Sequence, residues 1–427
     1  MTTKTYSSRI TGLHTMTVAE RLKTVADLVG LSDEAVAHLT DTATVVGEVA
    51  DRMSENVIGT LGIPVGIATN LIIDGRERVV PLATEESSVV AAVCNAAKQC
   101  RGGGGISTST SGPLMIAQVQ LINVSDPENA RFKILEHRDE IKAICDECDP
   151  VLLKFGGGFQ SLEVRIIDSA QGPMVITHLI VNTGDAMGAN AVNTMAEAVG
   201  PRIAEWTGGQ VFLRILSNLA DRRLARARGV WRAEDIGGPA VRDGILAAFH
   251  FADADPYRAA THNKGVMNGI TAAVLATGND TRAIESGAHA YAARTGRYRS
   301  MSKWEADADG NLVGVLELPM AVGLIGGATK IHPTARACLE ILGVTSADEL
   351  ARIVVAIGLA QNYAALKVLA TTGVQKGHMS LHSKNIAIMA GAEGAEIEAV
   401  AARLVADSKV RVDHAEAVLA ELRAKKG

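Results

Sequence analysis

The stretch LEVRIIDSAQGPMVITHLIV, residues 162–181, predicts two β-strands joined by a tight turn. Aliphatic and β-branched residues dominate 162–168 and 174–181, while Gln-Gly-Pro at 171–173 breaks the pattern between them. An isolated hairpin is marginal in water, because one of its faces needs further strands or helices to cover it. The hairpin therefore implies a larger antiparallel sheet in this part of the chain.

Neighbouring segments complete the hairpin into a module with the order β-α-β-β-α-β. Alternation over 115–122 predicts the first strand, and 129–147 reads as a charged amphipathic helix. A second helix is predicted over 186–203 and a last strand over 210–215. This order is that of a ferredoxin-like split unit, which we expect to be inserted between two halves of a larger domain.

The whole chain is expected to be an α/β (α+β) protein with a large mixed domain, the inserted module and a small helical C-terminal flap. The glycines of 102–105 and the polar run 107–111 mark the first boundary. The predicted parts are the large domain's first part, the module, the large domain's second part and the flap, at 1–112, 113–217, 218–376 and 377–427.

Local signals place several helices outside the module. Thr17 and Glu20 form a capping-box pair at the start of an apolar-periodic stretch that Gly30 closes. A helix rich in Ala and Val is predicted over 87–98, and amphipathic helices over 395–404 and 412–423.

Composition excludes several classes of protein. At 427 residues the chain can bury a sizeable core, and its net charge of −5 gives no basic surface for nucleic acid. No apolar run reaches the roughly 18 to 20 residues that span a bilayer, and the polar start lacks a signal-peptide segment. Five cysteines fit a reducing compartment better than a disulfide framework. We expect a soluble cytoplasmic protein that binds neither nucleic acid nor membrane.

Four short stretches carry candidate chemistry: Glu85-Glu86, THNKG at 261–265, GND at 278–280 and GHM at 377–379. An acid, a lysine, a second acid and a histidine form a set suited to moving protons at a carbonyl. Each also has an ordinary reading. The glutamates can cap a helix, and Lys264 can form a simple salt bridge with Asp280.

A fifth stretch, DAMGAN at 185–190, places a helix start directly after a strand. The free N–H groups of a helix N-terminus attract phosphates, and small residues allow a pyrophosphate to come close. Asp185 as a plain helix cap remains an alternative, and the chain has no G-x-G-x-x-G motif.

These segments resemble the signatures of hydroxymethylglutaryl-CoA reductase: ENVIG at 55–59, DAMG at 185–188, GND at 278–280 and GHM at 377–379. The soluble bacterial form, class II, is the better match, and the likeness extends from about residue 55 to 382. It implies interconversion of hydroxymethylglutaryl-CoA with mevalonate and coenzyme A through two nicotinamide hydride transfers.

The resemblance implies that Glu86, Lys264, Asp280 and His378 are catalytic. Lys264 would stabilise the negative charge that hydride attack places on the thioester oxygen, and Asp280 would hold that lysine. Glu86 would supply a proton to the oxygen, and His378 would protonate the departing coenzyme A thiolate.

Further residues match positions around the ligands. Arg258 could grip the substrate carboxylate bidentately. The substrate-binding positions implied are Ser88, Asn218, Arg258, Thr261, Asn268 and His382. The cofactor-binding positions implied are Asp149, Asp185, Ala186, Met187, Gly188 and Asn190.

We expect NAD as the preferred cofactor, with NADP possible, because the Asp149 carboxylate would accept from a ribose 2′-hydroxyl and repel a 2′-phosphate. The alternative is that Asp149 belongs to a solvated acidic helix end with Asp146 and Glu147. One residue departs from the family's common pattern: Ser87 stands where proline often follows the second glutamate.

No metal site is expected. His378 and His382 share a helix face, and Cys145 and Cys148 form a lone C-x-x-C, but neither pair has further ligands in evident reach.

The family builds each active site across a dimer, which implies a homodimer or a larger assembly of dimers. The appendage carrying His378 would close as a flap about Gly373 and Gly377. Two rivals remain: a related acyl-CoA oxidoreductase with another acyl group, and a non-catalytic nucleotide-binding protein on the same scaffold.

Overall fold

A computed structural model describes residues 6–40, 53, 55–56, 58, 60–371, 373 and 383–424. Within these ranges the chain forms a six-stranded sheet, a four-stranded sheet and helices packed around them, which confirms the expected α/β (α+β) class. The strands are β1 Val65–Ile73, β2 Arg76–Ala83, β3 Ile106–Thr110, β4 Leu114–Ile122, β5 Gly158–Ile167, β6 Met174–Asn182, β7 Gln210–Ser217, β8 Leu224–Trp231, β9 Ser302–Ala306 and β10 Leu312–Pro319. The helices are α1 Val18–Val29, α2 Asp33–Thr40, α3 Val89–Cys100, α4 Pro127–Glu136, α5 Arg138–Cys148, α6 Pro150–Lys154, α7 Ala189–Thr207, α8 Ala233–Ile236, α9 Pro239–Ala254, α10 Pro256–Ala276, α11 Thr281–Ala292, α12 Ala328–Ile331, α13 Pro333–Leu342, α14 Ala347–Ala370, α15 383–389, α16 Ala395–Ala406 and α17 Val412–Ala424.

The four-stranded sheet has the order β5-β6-β4-β7, and all its neighbouring strands are antiparallel. The first strand of the module therefore lies between its third and fourth strands, which is the ferredoxin-like arrangement. The hairpin predicted from residues 162–181 is confirmed as β5 and β6. Gly172 turns it with a φ of 101°, a conformation that favours glycine.

The six-stranded sheet has the order β2-β1-β3-β8-β10-β9. The polar run 107–111, expected as part of a domain boundary, lies mostly in β3 and pairs with β8. Its Ser and Thr side chains are half-buried or exposed, while residues 107–110 pair with β8 through their backbone. The chain crosses between the two sheets at residues 111–113.

Two helix predictions in the module need correction. The single helix expected over 129–147 is two helices, α4 and α5, which meet at His137. His137 leaves helical geometry and stacks on Trp206 with ring centroids 4.1 Å apart. The helix expected from residue 186 begins at Ala189, because Gly188 has a φ of 99° and ends the preceding loop.

Helix α14 forms the centre of the large domain's core. It packs against α10, α3 and β8, and Tyr363 stacks on Trp231 with centroids 4.5 Å apart. By length and composition it could cross a membrane, but 72% of its apolar window is buried inside the protein. Its apolar character is therefore that of a core helix.

The helices near both ends of the chain form where local sequence patterns predict them. The capping box of α1 is confirmed, with Glu20 N donating to Thr17 Oγ1 at 3.3 Å and Thr17 N donating back to Glu20 Oε2 at 2.7 Å. The helices predicted near the C-terminus are confirmed as α16 and α17. They form their own apolar cluster with α15, separate from the main core.

Candidate active site

Lys264 and Glu86 form the charged centre of the candidate site. The ammonium nitrogen of Lys264 donates to Glu86 Oε2 at 2.6 Å. The two side chains keep 60% and 37% of their exposure, so both remain accessible from solvent. Asn268 lies one helical turn beyond Lys264 on α10 and donates its Nδ2 to Glu86 Oε1 at 3.4 Å.

The turn between β2 and α3 presents Glu86. Its backbone N–H donates to Thr84 Oγ1 at 3.2 Å. Two residues later Ser88 precedes α3 with a φ of 78° and no side-chain cap hydrogen bond. A serine in this left-handed region is strained, and such strain concentrates at functional sites. Helix α3 begins at Val89 rather than at Ser87, so both serines lie in the turn beside the carboxylate.

One face of α10 carries a row of four polar residues. Arg258, Thr261, Lys264 and Asn268 follow one another at spacings of three or four residues, which places them on the same side of the helix. All four are exposed or half-buried. Sequence analysis singled out these residues, and the helix brings them together.

Arg258 differs from most arginines of the chain. It is half-buried, and among the described residues no carboxylate pairs with it and no acceptor receives its hydrogen bonds. Burial lowers the pKa of its guanidinium, which nevertheless stays charged at neutral pH. A partly desolvated cation without a partner is ready to bind an anionic ligand.

The buried side of α10 is anchored by His262 and Asn263, which sequence analysis quoted without assigning a role. His262 is 3% exposed, and Asn362 Nδ2 donates to its Nε2 at 3.2 Å. Burial, together with nearby Arg258, lowers the pKa of His262 to about 4, so it is neutral at neutral pH. Asn263 Nδ2 donates to Arg299 O at 2.8 Å. These contacts fix the helix that presents Lys264.

Asp280 does not meet Lys264 within this chain, so the expected contact is wrong for a single subunit. Asp280 caps α11, where its Oδ1 accepts from Arg282 N at 2.9 Å and from Ala283 N at 3.1 Å. The preceding Asn279 donates its N–H to Val274 O at 3.0 Å. Val274 is ten residues beyond Lys264 on α10, about 15 Å along the axis, which the two side chains do not span.

The candidate nucleotide loop, residues 183–188, leads into α7. Gly188 caps that helix, and no described side chain bonds to the N–H groups of its first turn, which can therefore bind an anion. A Cβ on Gly188 would lie 2.4 Å from Thr183 Cγ2, which requires glycine here. Asn190 lies exposed in the first turn, and Ala186 and Met187 are half-buried.

Asp185 makes a contact that neither sequence interpretation included. Its Oδ1 accepts from Ala347 N at 2.7 Å, so it caps α14, a helix 162 residues further along the chain. Asp149 also acts as a cap, with Oδ1 accepting from Leu152 N at 2.9 Å at the start of α6. That use of one oxygen leaves the second available to a ligand.

The nucleotide loop and the Asp280 turn lie on the same side of the molecule. Leu324 N donates to Asp185 O at 2.8 Å, and Gly323 N donates to Asn279 Oδ1 at 2.8 Å. Asn218 is exposed just after β7, and its carbonyl approaches Gly287 of α11. Two groups of candidate residues therefore exist: Glu86 with the row on α10, and Asp280 with the nucleotide loop.

Some expected residues cannot be placed. His378, His382 and Gly377 lie outside the described residues. Among the described residues no group of three or more His, Cys, Asp or Glu side chains could hold a metal ion. Cys145 and Cys148 are free thiols, and burial raises the pKa of Cys145 to about 12.

Comparisons with known families, sequences and solved structures agree with one another. The family model described as hydroxymethylglutaryl-coenzyme A reductase matches residues 17–383. The 3-hydroxy-3-methylglutaryl-coenzyme A reductase of Archaeoglobus fulgidus is 55% identical over 98% of this chain and 95% of its own. The solved reductase of Streptococcus pneumoniae superposes with a TM-score of 0.83 at 40% identity, covering 96% of this chain and 99% of the other. A second structure of the class II enzyme from that organism, bound to NADPH in open conformations, gives 0.82 at 40% identity over 84% of this chain and 99% of the other.

Proposed function

This chain belongs to the hydroxymethylglutaryl-coenzyme A reductase family, and we propose how its residues divide the work of that reaction. It is an NAD(P)-dependent oxidoreductase that interconverts hydroxymethylglutaryl-CoA with mevalonate and coenzyme A. The reaction needs two hydride additions at one carbon, so its site has to stabilise an oxyanion twice and release a thiolate between the two steps.

The group formed by Glu86 and the row on α10 is the substrate half of the site. The observation that carries this proposal is the ion pair of 2.6 Å between Lys264 and Glu86, two partly exposed groups from distant segments. Lys264 stabilises the developing oxyanion of the thioester carbonyl, and Glu86 exchanges a proton with that oxygen. Asn268 holds Glu86 in place, and His378 protonates the departing thiolate.

Arg258 binds the free carboxylate of the substrate. It lies on the same helix face as Lys264, six residues away, with Thr261 between them. A bidentate pair with a carboxylate would satisfy the unpaired guanidinium and fix the acyl group beside Lys264. Ser88, Asn218 and His382 remain proposed polar contacts around the substrate.

The group formed by Asp280 and residues 183–188 is the cofactor half. When bound, nicotinamide dinucleotide would supply the hydride, and the N–H groups at the start of α7 would hold its pyrophosphate. Asp149 selects NAD(H), because its free oxygen can accept from the ribose 2′-hydroxyl. In this assignment Asn190 lies beside the dinucleotide, and residues 113–217 form the dinucleotide-binding module.

Each complete site takes one half from each of two subunits. Within one chain, Lys264 lies about 15 Å along α10 from Val274, whose carbonyl holds the residue before Asp280, so a single chain does not assemble Lys264 and Asp280 around one carbonyl. A symmetric homodimer brings the substrate half of one subunit to the cofactor half of the other, twice.

Residues 377–427 act as the flap, with Gly373, at a φ of 74°, at its hinge. The free cysteines suit the cytoplasm.

Subunit complementation tests this arrangement. Lys264→Ala and Asp280→Asn proteins are each inactive alone, and they are unfolded together and refolded as a mixture. A shared site gives every mixed dimer one intact site, so about a quarter of wild-type NADH oxidation returns, since half of the dimers are mixed. A site contained within one chain gives no recovery, although size-exclusion and light scattering show mixed dimers.

A further inference from the structure

Arg223 is a buried arginine that none of the roles above uses. It is 5% exposed and lies between β7 and β8, where the chain returns to the six-stranded sheet. Burial lowers the pKa of its guanidinium to about 10, so it is still charged at neutral pH. Keeping a charge in the interior is costly unless its hydrogen bonds are well satisfied.

One nitrogen of the guanidinium holds the nucleotide loop. Arg223 Nη1 donates to Thr183 Oγ1 at 3.0 Å, to Ala186 O at 3.0 Å and to Met187 O at 3.2 Å. These three acceptors belong to residues 183–187, immediately before the Gly188 cap of α7. The charge therefore lies against the loop that leads into the first turn of α7, whose N–H groups face the proposed pyrophosphate.

The other nitrogen holds residues 320–325, the segment after β10. Arg223 Nη2 donates to Val322 O at 2.6 Å, and Arg223 O accepts from Met320 N at 2.9 Å. This segment lies directly against the loop, since a Cβ on Gly323 would lie only 2.5 Å from Met187 N. The guanidinium thus joins two strips of backbone that touch each other.

The same segment reaches the turn of Asp280. Gly323 N donates to Asn279 Oδ1 at 2.8 Å, and Asn279 is the residue before Asp280. Hydrogen bonds therefore connect the nucleotide loop through Arg223 and residues 322–323 to Asn279, the residue next to the proposed catalytic Asp280. Displacing any part of this connection would move the two functional groups relative to each other.

We infer that Arg223 is a positioning residue that sets the nucleotide loop in register with Asp280. The inference rests on the proposed function of that loop and of Asp280. It implies that the guanidinium contributes to nicotinamide binding and hydride geometry without touching either ligand. The substrate half, anchored by α10 and β2, is independent of it.

The test compares Arg223→Met and Arg223→Lys with the neighbouring Arg222→Met in the full-length protein. Arg222 is a matched control, because it is half exposed and pairs with Glu163 on the surface. We expect Arg223→Met to raise the KM for NADH about tenfold or more and to lower kcat, since small misplacements at a reacting centre are costly. The Kd for hydroxymethylglutaryl-CoA should stay within about twofold, whereas a general folding defect would weaken both ligands.

Arg223→Lys keeps the charge but cannot reach both strips of backbone, so it should give an intermediate NADH defect even if Arg223→Met does not fold. Unchanged NADH kinetics in folded Arg223→Lys, or equal loss of both ligands, would overturn the inference. Gly188→Ala tests the role of the loop in NADH binding separately from the positioning role of Arg223. If it leaves NADH binding intact, the loop assignment itself is wrong; if it weakens NADH while the Arg223 variants do not, only the positioning role is wrong.

Discussion

The two proposed halves of the site are built in opposite ways. The substrate half consists of charged side chains that stay partly exposed, with Lys264 at 60% and Glu86 at 37%. The cofactor half consists of backbone N–H groups and a glycine cap, supported by a buried arginine. A single substitution can change a site made of side chains directly. A site made of backbone N–H groups depends instead on the surrounding residues that fix the backbone conformation.

The first prediction removes the charge at the centre of the substrate half. Lys264→Ala should lower kcat about 10³-fold, because the oxyanion loses its fixed cation. The Kd for NADH, a ligand of the other half, should be unchanged. Turnover is followed by NADH absorbance with hydroxymethylglutaryl-CoA, and Lys303→Ala, at an exposed lysine of β9, serves as control. Retained activity in folded Lys264→Ala protein would remove Lys264 from the mechanism.

The second prediction concerns the buried anchor of the substrate half. The pKa of His262, about 4 when folded, lies below its ordinary 6.5, so the unfolded chain binds more protons between these values. Stability is therefore complete above pH 6.5 and is lost as the pH falls through 6.5 towards 4, by on the order of 3 kcal/mol.

Urea unfolding at several pH values measures this loss. His262→Asn should flatten the slope of unfolding free energy between pH 6.5 and 4, whereas His250→Asn, at an exposed histidine, should not. Equal slopes for wild type and His262→Asn would show that protonation of this residue does not limit acid stability.

The third prediction separates binding from chemistry within the substrate half. Arg258→Met should raise the KM for hydroxymethylglutaryl-CoA about 50-fold with a smaller change in kcat, because a charged hydrogen-bonded pair is lost. Arg336→Met, at an exposed arginine of α13, is the control. If Arg258→Met raised the KM for NADH rather than the KM for the thioester, Arg258 would belong to the cofactor half and the assignment to the substrate half would be wrong.

The smallest predicted effect tests cofactor choice. Asp149→Ser keeps an oxygen to cap α6 but removes the negative charge. The ratio of kcat/KM for NADH to that for NADPH should fall about fivefold, with the melting temperature nearly unchanged. Asp146→Ser, in the same acidic stretch, controls for net charge. An unchanged ratio would leave Asp149 with its capping role alone.

Local sequence patterns were reliable wherever the deciding contacts lie within a few residues. The hairpin at 162–181 and the capping box of Thr17 and Glu20 follow from turn chemistry and from hydrogen bonds within a few residues. The helix break at His137 was missed, because it depends on stacking against Trp206, 69 residues away.

The partners of the functional groups were decided by tertiary structure. Lys264 meets Glu86, 178 residues away, rather than Asp280, and Asp185 caps α14 rather than the helix that follows it. Nothing in the DRRL stretch around Arg223 distinguishes it from its exposed neighbour Arg222.

The sequence by itself therefore determined the residue types, their local elements and the family to which they belong. Which charges face each other depended on how the helices and sheets dock, and the proposed division of the site into two halves rests on those contacts. The physical reason is that side-chain spacing along one element follows from backbone geometry, whereas contacts between elements follow from the packing of the whole core.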